Sequence, residues 1–220
     1  MRGVEAQLRS WRRLLAGGAT RIGWKIGLND PGVQRRLGLE GNVVGYLTDA
    51  SLIAPGGRHS LAGGRMVCVE PEVAVHVGRD VPGDANRETA RAAIAALGVA
   101  IEVIDVDRPF DDLEAIVAAN IFHRAVMLGP PVPGASLANA TGRALHDGRA
   151  LGAIDLDAVA DTLPELVRFV AHWLARAGQL LRVGDRIITG SLTRPIAVKR
   201  GDRVVVELGP LGRLELELTA

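Results

Sequence analysis

Apolar side chains recur along this chain with two periods, and the switches between them mark its elements. Leu8, Trp11, Leu14 and Leu15 stand at helical spacing within residues 5–16, and Gly17 and Gly18 end that helix. Residues 21–28 read as a strand. Asn29, Asp30 and Pro31 then supply an N-cap and a first-turn proline for a short helix through Leu37. Short strands follow over 43–47 and 52–54. Next come a longer strand over 66–77, a Pro82-Gly83-Asp84 turn, a helix over 88–97 and a strand over 99–106. A helix over 111–118, a strand over 124–128 and a glycine-broken β region lead to residue 155.

The clearest helix opens on a predicted capping box, Thr162-Leu163-Pro164-Glu165. Its apolar face carries Leu166, Val167, Val170, Trp173, Leu174 and Ala177 before Gly178. The tail alternates over 204–208 and 214–218, joined through Gly209-Pro210-Leu211-Gly212, as a terminal hairpin would. These elements predict an α+β fold, a mixed sheet closed on itself as a β-sandwich or roll with flanking helices. Regular βαβ alternation is missing. No repeat or long linker divides residues 1–220, so the expectation is one domain with a short helical lead-in over 1–18.

Composition narrows the partners. The 220 residues carry 26 basic and 25 acidic side chains with no block of like charge, which argues against nucleic acid or an anionic membrane as partner. Cys68 is the only cysteine, so neither an intramolecular disulfide nor a Cys-rich zinc site is possible, and a reducing compartment is expected. The first residues carry charge where a signal peptide would need apolar ones, and no apolar run approaches the roughly 20 residues of a membrane span. The expectation is a soluble cytoplasmic protein.

Candidate chemistry lies on two strands. A period of two puts Glu70 and Glu72 on one face of the 66–77 strand, with Val69, Val73, Val75 and Val77 on the other. A solvated acidic face would give the same spacing, and the terminal Leu-Glu-Leu-Glu-Leu run is that bland case. The neighbours favour a lined pocket: Pro71 cannot donate to a ladder, and Cys68, Ala74 and His76 share the carboxylate face. Glu102 stands in a run so apolar that its strand should be buried on both faces, and a buried glutamate needs a partner. Three oxygen ligands without clustered thiols or histidines fit Mg²⁺ or Mn²⁺ rather than zinc, and leave about three of six octahedral positions for water or a chelating substrate. Lys25, between Gly23 and Gly27, is a candidate proton carrier or carboxylate binder. The segment 184–193 ends a strand in small and hydroxyl-bearing residues suited to binding a carboxylate.

Taken in order, Gly23-Trp24-Lys25-Ile26-Gly27, Val69-Glu70-Pro71-Glu72, Ile101-Glu102-Val103-Ile104-Asp105, Gly184-Asp185 through Thr189-Gly190-Ser191, and Gly209-Pro210-Leu211-Gly212 resemble one branch of the fumarylacetoacetate hydrolase superfamily. That branch holds 2-oxopent-4-enoate hydratases and 4-oxalocrotonate decarboxylases. The resemblance implies Mg²⁺ or Mn²⁺ on Glu70, Glu72 and Glu102, Lys25 as acid/base or substrate-binding residue, Asp49 as an acidic catalytic position, and Ser191 and Asn120 as substrate contacts. It implies a metal-dependent lyase that hydrates 2-hydroxypenta-2,4-dienoate-type substrates to 4-hydroxy-2-oxo acids, with decarboxylation of 4-oxalocrotonate-like acids as the alternative. C–C hydrolysis of an acylpyruvate, or an altered homologue that binds a 2-oxo acid or assembles with a partner, are further alternatives. A homo-oligomer is implied too, as is a complex with a pathway enzyme. The hydrolase branch carries a His/Glu dyad where this chain has Val33 and Arg36, so no general base for hydrolysis is evident there. Ala119-Asn120-Ile121-Phe122-His123 departs from the Asp-Asn and small residues of the hydratases, and implies an altered substrate scope.

Overall fold

A computed structural model of the chain describes residues 2–220. In chain order the elements are α1 (Arg2–Ala16), β1 (Arg21–Gly27), α2 (Pro31–Leu37), β2 (Val43–Thr48), β3 (Leu52–Ile53), β4 (Arg58–Ser60), β5 (Val67–Val77), α3 (Arg87–Ala92), β6 (Ile94–Asp105), α4 (Leu113–Ala118), β7 (His123–Leu128), β8 (Val132–Pro133), β9 (Thr141–His146), β10 (Arg149–Asp155), α5 (Leu156–Ala160), α6 (Leu163–Arg176), β11 (Arg186–Ile188), β12 (Ile196–Ala197), β13 (Arg203–Glu207) and β14 (Arg213–Thr219). One mixed sheet runs β2-β1-β11-β5-β6-β7-β3, with β12 added to β5 and β8 to β6; a second runs β10-β9-β13-β14-β4. This is the expected mixed, folded sheet with flanking helices.

The faces of β5 follow the predicted alternation. Val69, Val73, Val75 and Val77 enter the main apolar cluster, which also takes Val204, Val206, Leu214, Leu216 and Leu218 from the second sheet and Val167, Val170 and Leu174 from α6. The opposite face of the large sheet holds smaller apolar groups around Cys68 and Ala74, and the carboxylates lie among them. The three tryptophans pin β1 from the core side: Trp24 meets Trp11 of α1 at 5.3 Å between centroids and Trp173 of α6 at 6.4 Å. With Trp24 and Ile26 turned into this cluster, the strand period sends Lys25 to the other face.

Asp30 caps α2 through a 2.8 Å bond from the Val33 N–H, and β13 pairs with β14, as expected. Two details differ. The predicted helix over 88–97 stops at Ala92, and β6 starts at Ile94, because residues 94–99 pair with the far half of β5; long-range pairing overrides local helix propensity there. The capping box does not form. Thr162 adopts helical angles and its hydroxyl donates to the Val159 carbonyl at 2.7 Å, while Glu165 pairs with Arg168. Helix α5, in the interval between the β region that ends at residue 155 and the predicted helix start at Thr162, precedes α6 by two residues and supplies that carbonyl.

The feature that makes room for a site is an interruption beside β5. Its residues 74–76 pair with β11 and its residues 68 and 69 with β12, leaving Glu70 to Val73 without a strand on that side. Residues 189–195 cross the gap instead, tied by Thr189 N–H to the Val73 carbonyl at 3.1 Å and Leu192 N–H to the Pro71 carbonyl at 2.9 Å. Pro71 thus sits where the ladder is broken, the place a proline is tolerated in a sheet.

Candidate metal centre and active site

Glu70 lies directly opposite Glu102 across the β5–β6 ladder, and Glu72 follows on the same face. One carboxylate oxygen from each lies within 4.8 Å of the others. Glu72 and Glu102 are fully buried; Glu70 is half-buried at the wall of a cleft of about 770 Å³. Each buried carboxylate has one oxygen engaged by the protein. Glu72 Oε2 accepts the Gly190 N–H at 2.7 Å. Glu102 Oε1 accepts the Lys25 ammonium at 2.5 Å and contacts His123 Nδ1 at 2.6 Å. Their other oxygens, Glu72 Oε1 and Glu102 Oε2, are buried without a hydrogen-bond partner among the described residues.

Two orphaned carboxylate oxygens in a dry site are costly unless a cation completes them. The charges agree. Burial, then the charge of Glu102, pushes Glu70 up to about 7, and burial with the charges of Glu102 and Glu70 raises Glu72 well above the usual carboxylate range. Burial also works against ionised Glu102, but the Lys25 charge and the His123 hydrogen bond outweigh it and hold that carboxyl below its ordinary value. Three carboxylates beside one lysine leave room for about two positive charges, and an all-oxygen donor set fits Mg²⁺ or Mn²⁺.

Lys25 is 1% exposed, with its ammonium also bonded to the Ile121 carbonyl at 3.1 Å. Its stem runs over Gly45 on β2, where a Cβ would stand 2.7 Å from Lys25 Cγ and 2.8 Å from Asn120 Oδ1. Ser191 lines the cleft with Lys25 and Glu70, its hydroxyl donating to the Thr193 carbonyl at 2.8 Å. Ile104, Val106, Phe110 and Phe122 make the apolar wall. The 184–193 segment does bind a carboxylate through a backbone N–H, and that carboxylate is Glu72 of the same chain.

Two predicted residues are not brought to the cleft. Asp49 is exposed at the start of a 3₁₀ turn over Asp49–Ser51, where its carboxylate accepts the Thr20 N–H at 2.8 Å; that bond holds its pKa below the ordinary value. Asn120 is buried, but its amide is committed to the backbone of Tyr46, accepting its N–H and donating to its carbonyl, both at 2.9 Å. His76 stands at the far end of β5, paired with Ala96 and Arg186 and away from the carboxylates.

Two residues that the motifs do not name stand behind Glu102 instead. His123 touches Glu102, and its Nε2 lies 2.9 Å from Ser51 Oγ. Ser51 belongs to the same short turn as Asp49, and the parallel pairing of β3 with β7 brings it beside His123. The one sequence signal was the unusual Ala119-to-His123 stretch.

Three carboxylates ready for a divalent ion, with a buried lysine, over the broken edge of a folded mixed sheet, mark a metal-dependent enzyme. The chain belongs to the family described as fumarylacetoacetate (FAA) hydrolase C-terminal, whose model matches residues 26–219. It is 30% identical over 228 residues to 2-keto-4-pentenoate hydratase 1 of Dechloromonas aromatica (strain RCB), covering 96% of this chain and 81% of the relative. It is 28% identical over 208 residues to 4-oxalocrotonate decarboxylase of a Pseudomonas species, covering 92% and 80%. In fold it is similar to 4-oxalocrotonate decarboxylase from Pseudomonas putida G7, a structure complexed with magnesium and adipate, with a TM-score of 0.89, 23% identity, and coverage of 98% of this chain and 84% of that one. No helix among the described residues is long and apolar enough to cross a membrane.

Proposed function

We propose that this chain is a divalent-metal-dependent lyase that hydrates a small 2-hydroxydienoate or 2-oxo-enoate, of the 2-hydroxypenta-2,4-dienoate type, to a 4-hydroxy-2-oxo acid. The observation that carries the reading is one cleft holding Glu70, Lys25 and, behind them, two buried carboxylate oxygens with no partner. Glu70, Glu72 and Glu102 would hold Mg²⁺ or Mn²⁺, which when bound supplies positive charge against the dienolate. Lys25 carries the proton that passes from the 2-hydroxyl to C5 on ketonisation. Water then adds across C3 and C4, its hydroxyl to C4 and its proton to C3. Ser191 contacts the substrate carboxylate, and the apolar wall excludes bulk water from the carbon chain.

A second reading is favoured by the similarity to the decarboxylase: a 4-oxalocrotonate-like acid loses CO₂, and the electron pair of the broken C–C bond enters the same dienolate. Identifying products by mass spectrometry while following dienoate absorbance distinguishes the two. For either reading, chelator should abolish turnover and Mg²⁺ or Mn²⁺ restore it, and Glu72→Gln and Glu102→Gln should lose metal and activity together. Full activity in a metal-free preparation would refute both.

The proposal covers a single cytoplasmic catalytic domain that self-associates, and that docks on a pathway enzyme, as the family resemblance implies. A sedimentation mass equal to one chain would count against self-association.

A further inference from the structure

We infer that His123, braced by Ser51, is a positioning residue that fixes Glu102 as a one-oxygen ligand and so sets the preference of the centre for Mg²⁺ over Ca²⁺. The inference rests on the metal reading of Glu70, Glu72 and Glu102.

The geometry is local and complete. His123 Nδ1 and Lys25 Nζ converge on the same oxygen, Glu102 Oε1, at 2.6 and 2.5 Å. On the far side of the ring, His123 Nε2 lies 2.9 Å from Ser51 Oγ, and the Ser51 hydroxyl is itself tied to the Thr48 carbonyl at 3.1 Å. Both side chains of the His123–Glu102 pair are nearly sealed, 6% and 1% exposed. With two donors on Oε1, Oε2 is the oxygen left without a hydrogen-bond partner and so the one available to an ion.

His123 does not line the substrate cleft; it lies on the other side of Phe122, at a small surface depression with Asp105, Arg108 and Arg124. It reaches Glu102 from behind, which is why it is a positioning residue. The backbone is bent to place it there. Asn120, Ile121 and Phe122 have φ of 59°, 55° and 61°, a left-handed run that β-branched and aromatic residues rarely adopt. That run delivers the Ile121 carbonyl to Lys25 and the imidazole to Glu102, and the Asn120 amide clamps it to Tyr46.

The consequence concerns ion choice. Mg²⁺ demands near-ideal octahedral geometry, whereas Ca²⁺ accepts more oxygens and takes carboxylates bidentately. A Glu102 held to one oxygen suits the smaller ion; a Glu102 released from His123 keeps only the Lys25 ammonium on Oε1 and turns more readily to offer both oxygens to the larger one.

The test is calorimetric titration of purified full-length protein with Mg²⁺ and with Ca²⁺, after circular dichroism confirms folding without metal. His123→Ala should weaken Mg²⁺ binding by about 10–100-fold, the usual effect of losing a partner of a ligating side chain. Ca²⁺ binding should fall distinctly less. His123→Asn, whose amide nitrogen takes the place of Nδ1, should recover most of the selectivity, and Ser51→Ala should shift it partway in the same direction. Unchanged Mg²⁺ affinity in His123→Ala, or equal loss of both ions, overturns the inference. If His123→Ala does not fold, Ser51→Ala decides, and parental selectivity in that variant overturns the inference. A parent that binds neither ion overturns the metal centre itself, a different failure from a parent that binds Mg²⁺ regardless of His123.

Discussion

Lys25 is held in place by what surrounds its stem as much as by what binds its ammonium. Gly45 leaves a channel for the lysine methylenes, and any Cβ there would press on Lys25 Cγ and on the Asn120 carbonyl oxygen that bonds the Tyr46 N–H. Gly45→Ala should therefore keep the fold and lower kcat by about 100-fold, the scale set by displacing a reacting group by an ångström. A variant with parental kcat would show that Lys25 has freedom to move. The carboxylates were legible at this scale: a period of two put Glu70 and Glu72 on one face, and the apolar run around Glu102 marked it as buried. His123 was not legible. Its contact depends on three successive left-handed residues, two of which, Ile121 and Phe122, are types that disfavour that conformation, so no propensity argument would have drawn the turn. Asp49 and Ser51 make the complementary point. Both lie in one short turn, and which of the two faces the site was settled by the β3–β7 pairing.

Among the elements, the helix caps separate pattern from structure. Asn86 accepts the Thr89 N–H at 2.8 Å and caps α3, whereas the Thr162 side chain caps no N–H of α6. Thermal or chemical unfolding of Asn86→Ala should show a loss of about 1 kcal/mol, the usual value of such a cap. Thr162→Ala should cost clearly less, since only a hydroxyl bond to the Val159 carbonyl is lost. Equal losses would mean that the Thr162 cap forms in solution. The broken ladder beside β5 belongs to the same scale. Pro71 hinted at an interruption, but only the pairing of β5 with both β11 and β12 shows the gap that residues 189–195 fill, and with it the Gly190 N–H that holds Glu72.

Over the whole molecule, the centre is a place where protons and metal compete for the folded chain. Glu70 has a folded pKa of about 7, above its unfolded value, so the metal-free folded chain binds more protons than the unfolded one at intermediate pH. Its contribution to stability is full below the unfolded pKa and is lost as pH rises through 7. His59 and His76, whose pKa values burial lowers, act in the opposite sense, so the parent's own pH profile mixes the two. Comparison with Glu70→Gln, which keeps both histidines, reports Glu70 together with the part of the Glu72 shift that the Glu70 charge causes. Without metal, the melting temperature of Glu70→Gln should rise relative to the parent between about pH 5 and pH 8, and saturating Mg²⁺ should stabilise the parent more at the upper end. A constant difference between parent and variant across that interval would exclude the raised pKa.

The sequence by itself determined the alternating strands, most helix positions, the two faces of β5 and the three glutamates, because these follow from local periodicity and from the cost of burying a charge. The tertiary structure decided what periodicity cannot carry. Long-range pairing stopped α3 at Ala92, opened the gap beside Glu70, turned Asn120 from a substrate contact into a clamp on β2, left Asp49 outside, and set Ser51 and His123 behind Glu102. Each of these depends on residues far apart in the chain meeting at distances of a few ångströms, and nothing in a local pattern fixes such a meeting.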